Sequence, residues 1–300
     1  MAAGAAALSV VSKPVLASSS NAAFQGGGKE KLKFVVEVGN IGSGSVEDAV
    51  QYAKDLQIPA ISVPWPRVPG YTETGSLDAD RLKAIRAQIE QAGLLFHSMQ
   101  ASIPRGVLAG GAEAEKQFEA VRRNFQAMAA ARVDLLMGFV PVPRNAQWEQ
   151  VVGLYSRLMK EIEPSGVRLA THTLGTLGSY AALTRLMQDV PSRSNGICFC
   201  SGNVWHAEHE KIYDIPPQLA SKFFFVHVRN VKTGLGEKEF YFDEGDIDFP
   251  KMFAALRKVG YSGYIRSEHL PTDVYSRPRA SDVGTAWAQG YMRALQQLGA

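Results

Sequence analysis

Short runs of β-branched and aromatic residues alternate along this chain with longer segments whose apolar positions recur at helical spacing. The runs fall at residues 34–38, 60–63, 94–99, 134–140, 167–172, 196–200, 223–228 and 263–268. Between them, stretches 46–56, 79–92, 113–131, 147–162 and 249–259 read as amphipathic helices, and 282–298 closes the set. Runs this short suit buried strands, and regular alternation with helices suits a parallel sheet, because each parallel pair needs a crossover. Gly93, Gly166 and Gly260 each stand between a helical stretch and the next strand, where a left-handed residue ends a helix. Eight such steps predict an α/β protein, a closed (β/α)8 TIM barrel. An open doubly wound sheet shares the alternation but carries a glycine-rich phosphate loop after its first strand. Gly39, Gly42 and Gly44 follow that strand at a spacing that does not make the dinucleotide fingerprint.

Length agrees with one barrel: 300 residues at 46% hydrophobic content, against about 250 for a barrel of this kind. We therefore expect a single catalytic domain over residues 32–300. The net charge of +3 is spread over 32 basic and 29 acidic residues without a long run of either sign. That distribution gives no nucleic-acid footprint, so the expected partner is a small molecule, with a homo-oligomer left open. Residues 1–31 differ, being rich in Ala, Ser and Gly. Their apolar stretch 2–11 is too short to span a bilayer. It reads either as an export signal without its usual basic start, cleaved near Ala17, or as a disordered tail. The first reading, as a truncated twin-arginine signal, implies a periplasmic protein and the second a cytoplasmic one.

Catalytic groups of a barrel gather where strands end at the carboxyl face. The fifth strand ends at His172 and the sixth at Cys200; the seventh carries His227 near its end, and the eighth ends with Glu268 and His269. Each residue alone has a plainer explanation, since a histidine in an apolar strand or a buried cysteine is often a packing residue. Together, at four successive strand ends, they make a candidate metal site for Mn, Fe, Co or Zn rather than Mg or Ca. Cys198 is expected to face the opposite side of its strand and to be structural, with no disulfide to Cys200. Arg229 is expected to point the same way as His227, either to clamp a carboxylate in a bidentate fork or to pair with Glu244 or Asp246. Trp65, Trp148 and Trp205, read as exposed, are candidates to line a sugar pocket, with core or rim packing the plainer expectation for each.

Several segments stand out as motifs: Phe225-Val226-His227-Val228-Arg229-Asn230-Val231, followed by Glu239-Phe240 and Glu244-Gly245-Asp246-Ile247-Asp248, and the segment Cys198-Phe199-Cys200-Ser201-Gly202. Upstream of them stand Ala101-Ser102-Ile103-Pro104, the helix 118–128 with Arg123 and Asn124, and Gly138-Phe139-Val140-Pro141-Val142. Together these segments resemble the mannonate dehydratase family. The resemblance runs from about residue 94 to 260 and more weakly to 298. It implies a xylose isomerase-like barrel that binds Mn2+ or Fe2+ and dehydrates D-mannonate to 2-keto-3-deoxy-D-gluconate. It implies His172, Cys200 and His227 as metal ligands, with Glu268 in place of the family's aspartate and His269 as the neighbouring proton-transfer residue.

Departures accompany the likeness. Thr173-Leu174-Gly175-Thr176 replaces an acidic, proline-rich loop, the chain is shorter, and Tyr275 only approximates the family's late tyrosine motif. The leading expectation is thus a hydro-lyase acting on a sugar acid. Glu268 suits an alternative, a sugar isomerase or epimerase on the same scaffold, and the altered loops suit a non-catalytic carbohydrate-binding barrel.

Overall fold

The computed structural model describes residues 31–236, 238–271 and 280–299. The signal-like stretch before residue 31 and Tyr275 lie outside the described residues. Strands β1 (Lys33–Glu37), β2 (Ala60–Pro64), β3 (Leu95–Ser102), β4 (Leu135–Phe139), β5 (Arg168–His172), β6 (Asn195–Cys200), β7 (Phe223–Val228) and β8 (Tyr264–Ser267) form a closed barrel in sequence order. All neighbours are parallel, and the seam closes where Lys33 pairs with Tyr264 and Phe34 with Ile265. The expected TIM barrel is therefore present.

The period of two along each strand divides the core into two parts. Outward residues such as Val36, Ile61, Phe199, Val226 and Ile265 join one large apolar layer beneath the helices. Fully burying a side chain of that size contributes about 1.5–3 kcal/mol, so this layer supplies most of the cohesion. Inward residues Val35, Ala60, Leu135, Met137, Ala170, Cys198 and Phe225 form a smaller plug within the barrel. Above the plug the inward positions turn ionisable: Glu37, His172, Cys200, His227, Arg266 and Glu268 are all buried. A buried charge persists only when paired or bound to a metal, so the change of composition marks the functional end.

Helices lie where periodicity expects them, at Val46–Asp55, Ala79–Gln91, Gly111–Ala130, Trp148–Ile162, Phe249–Lys258 and Ala280–Gln297. Ser45, Asp78 and Asp248 accept backbone N–H groups at three of their starts, satisfying donors that the helix itself cannot. Gly93, Gly166 and Gly260 take φ of +77°, +74° and +76°, as helix-ending residues do. Two further helices, Tyr180–Asp189 and Ser201–Glu208, fill the steps after β5 and β6. Among the described residues, no helix is long and apolar enough to cross a membrane.

The tryptophans take the packing role and not that of exposed sugar-pocket residues. Trp65 is fully buried, edge-on to Tyr71 and Phe125 at 5.5 and 6.4 Å. Trp205 is buried and donates to Thr233 Oγ1 at 3.2 Å. Trp148, half-buried, donates to Asp189 at 2.7 Å beneath the Arg185 guanidinium. A large ring covers much apolar area, and in all three cases core or helix packing has claimed it.

Candidate metal centre

Four neighbouring strands bring the expected donors together. Glu268, one residue beyond β8, is the hub: its Oε2 lies 3.2 Å from His172 Nε2 and 3.3 Å from Cys200 Sγ. Its Oε1 lies 3.1 Å from His227 Nδ1. Donor atoms of His172, Cys200 and Glu268 fall within 4.8 Å of one another, and those of His172, Cys198 and His227 do likewise. His227 is wholly buried, and its Nε2 has no hydrogen-bond partner among the described residues. Two imidazoles, thiol sulfur and one carboxylate form a mixed donor set suited to a first-row divalent ion. An unpartnered ring nitrogen is what such an ion would satisfy, since a buried polar atom left unpaired is costly.

Cys198 corrects the sequence expectation. Positions 198 and 200 are separated by one residue, so a strand's period of two puts both sulfurs on the inward face. Phe199 takes the outward face, stacked on the Tyr180 ring at 6.4 Å and 5.1 Å from the tilted Phe223 ring. Both thiols are free and buried, and Cys198 sits at the top of the apolar plug. Burial pushes the Cys198 thiol well above its ordinary value, with the Glu268 charge acting in the same direction.

The two histidines respond differently to one carboxylate. Burial alone would lower His172, but the Glu268 charge and hydrogen bonds from Cys200 and Glu268 raise it to about 10. His227 is held down at about 3, first by burial and then by the charge of Arg266. Burial works against ionising Glu268, yet His172 and His227 bring it well below the usual carboxylate range.

Arg229 is buried and already engaged. One arm pairs with Glu239, and Nη2 donates to Asn203 Oδ1 at 2.6 Å. The expected ion-pair partners, Glu244 or Asp246, are thus replaced by Glu239. Ser201 Oγ joins β6 to β7 by accepting from Arg229 N at 2.9 Å and donating to Arg229 O at 2.7 Å. Asn203 in turn donates to Thr173 O at 2.7 Å and lies 3.5 Å from His172 Nδ1. His269 stands at the rim, its side chain 61% exposed and its Nε2 3.7 Å from Glu268 Oε1. Its φ of +45° is unusual for a residue with a side chain. Partial burial lowers its pKa.

Three buried residues escaped the sequence reading. Arg266 pairs with Glu37 across the β1–β8 seam, reaches Gln100 Oε1 at 3.3 Å, and lies 3.5 Å from Glu268 Oε1. Counting back two from Glu268 finds Arg266, and counting on two from inward Val35 finds Glu37. Asn203 has no comparable signal, because it acts from the helix Ser201–Glu208, which periodicity did not single out.

Comparison with known proteins gives the class first. Residues 46–293 match the xylose isomerase-like TIM barrel family, and the chain belongs to it. Within the curated proteins, the chain is similar to mannonate dehydratases. It is 26% identical over 154 residues to that of Lactococcus lactis subsp. cremoris, covering 45% of this chain and 43% of the relative. It is 35% identical over 94 residues to that of Enterococcus faecalis, covering 30% and 26%. The matched segments therefore span less than half the length of these relatives. Among solved structures, mannonate dehydratase from Streptococcus suis serotype 2 superposes with a TM-score of 0.69 at 16% identity, covering 90% of this chain and 95% of that one. An L-ribulose 3-epimerase gives 0.68 at 15% identity, covering 89% and 95%. At such identities these superpositions speak for the fold.

Proposed function

We propose that this protein is a metal-dependent hydro-lyase that converts D-mannonate, or a closely related sugar acid, to 2-keto-3-deoxy-D-gluconate. The observation that carries the reading is the convergence of His172, Cys200, His227 and Glu268 at the barrel mouth. Local similarity to mannonate dehydratases adds the substrate class. These four side chains would hold Mn2+ or Fe2+. Such an ion, when bound, supplies Lewis-acid stabilisation of the charge that builds on a carboxylate when the neighbouring carbon loses its proton.

The remaining groups are given protein-borne tasks. His269 stands at the open rim beside Glu268, and its lowered pKa keeps the imidazole neutral near pH 7. A neutral imidazole can accept a carbon-bound proton and, once charged, return one to the departing 3-hydroxyl. Arg229 is the candidate clamp for the acid group, and this requires the substrate carboxylate to replace Glu239 on its guanidinium. Asn203, between Arg229 and His172, would keep both in register.

A second reading is a sugar isomerase or epimerase, favoured by the glutamate at the end of β8 and by the fold shared with L-ribulose 3-epimerase. Incubating the manganese-loaded protein separately with D-mannonate and with ketoses distinguishes the two. A 2-keto-3-deoxy acid from mannonate supports the dehydratase. Interconversion of ketoses without that product supports the epimerase, and inertness towards both would leave a carbohydrate-binding barrel.

A further inference from the structure

Cys198 has no task in the ligand set above, although its sulfur lies within 4.8 Å of ring nitrogens of both His172 and His227. We infer that Cys198 is a second sulfur ligand, so that two thiolates join the two imidazoles and the Glu268 carboxylate in holding the ion of this centre. The inference rests on the metal centre of the preceding section and concerns which donors face the ion.

Three observations carry it. First, His172 is common to two donor triads, one completed by Cys200 and Glu268 and the other by Cys198 and His227. The two triads thus meet at His172, with Cys198 and His227 on one side of it and Cys200 and Glu268 on the other. Second, His227 Nδ1 faces Glu268 Oε1 at 3.1 Å, whereas its buried Nε2 has no hydrogen-bond partner among the described residues. One nitrogen of that ring lies within 4.8 Å of the Cys198 sulfur. Third, Cys198 is fully buried beneath the mouth, and Val35, Ala60, Leu135, Met137, Ala170 and Phe225 belong to the same inner cluster. The apolar plug lies on one side of Cys198 and the imidazoles on the other.

The strand geometry allows the arrangement. Cα atoms two apart on a strand stand roughly 6.6–6.8 Å from each other with side chains on one face. Two sulfurs bound to one ion at about 2.3 Å each can be at most about 4.6 Å apart. Binding one ion therefore requires the two inward side chains to lean towards each other. Two sulfurs change the metal preference: a pair of thiolates favours zinc, cobalt or ferrous iron over manganese, because soft donors select thiophilic ions.

The test uses the full chain, stripped with a chelator and reloaded with one equivalent of Zn2+. X-ray absorption at the zinc edge is expected to show two sulfur neighbours at about 2.3 Å and lighter neighbours at about 2.0–2.1 Å. One sulfur neighbour overturns the inference and leaves the metal centre standing; failure to retain zinc overturns both. Cobalt loading gives an independent arm. Cys198→Ser and Cys200→Ser should each remove roughly half of the sulfur-to-cobalt charge-transfer band, as one of two thiolates would. An undiminished band in folded Cys198→Ser overturns the proposal. Should that variant not fold, the zinc measurement on the unaltered protein decides.

Discussion

His172 and His227 lie 5.3 Å apart, ring to ring, and share the carboxylate of Glu268. Their opposite shifts set how the metal-free protein responds to pH. His172, raised to about 10, contributes stability that is complete below its ordinary value of 6.5 and is lost as pH climbs through 10. The depressed value of His227, about 3, acts in the other direction: its contribution is complete above 6.5 and is lost as pH falls towards 3. Glu268, held well below the ordinary glutamate value, adds a further loss on the acid side. The site's contribution therefore peaks close to pH 6.5 without metal. Thermal melts of chelated protein from about pH 4 to 9 should show that maximum in the difference from a His172→Gln, His227→Gln double variant. A difference that rises steadily to pH 9 would contradict the assigned shifts. At the same scale, His269→Asn should retain a full complement of metal by elemental analysis while turnover falls by about 100-fold or more. Unchanged turnover would remove its proton-transfer role.

The segment after β7 shows how one side chain holds an element in place. Asn230 donates to Phe242 O at 2.9 Å and Ile247 O at 3.1 Å, and its Oδ1 accepts from Val231 N at 3.0 Å and Ile247 N at 2.9 Å. Gly245 permits this, because a Cβ there would stand 2.2 Å from Asn230 Cγ. These bonds fold residues 231–247 back onto the strand end and bring Glu239 to Arg229. Asn230→Ala is expected to lower unfolding stability by about 4 kcal/mol or more, since it leaves four buried peptide groups unpaired at roughly 1–3 kcal/mol each. Denaturant titration measures the loss, and hydrogen exchange should accelerate first in that segment. Much at this scale was legible in the sequence: the strand ends at His172 and Cys200 and the helix-ending glycines stand where the pattern puts them. The helix Ser201–Glu208 was not, because its Ser201, Gly202, Asn203, Val204 and Trp205 are all buried and show no polar face to count. The inward direction of Cys198 was available from the period of two and was missed.

At the scale of the molecule, the proposed metal centre ties β5, β6, β7 and the end of β8, while the Glu37–Arg266 pair spans the β1–β8 seam. An ion that binds only the folded barrel adds stability by mass action, about 2.7 kcal/mol at a hundred times its Kd. For a chain of this size that corresponds to a Tm rise of roughly 4–5 °C. Calorimetry before and after chelation should show the shift, and its absence would mean that the donors do not hold an ion. The sequence by itself determined the alternation of strands and helices, the number of barrel steps and the residues at the strand ends, because hydrophobic period and helix capping act over a few neighbouring positions. Only the tertiary structure decided that Arg229 meets Glu239, that Arg266 reaches Glu37, and that a second sulfur lies beside the imidazoles. Those relations depend on barrel closure and on how the loops fold back, which bring together side chains separated by up to 229 positions.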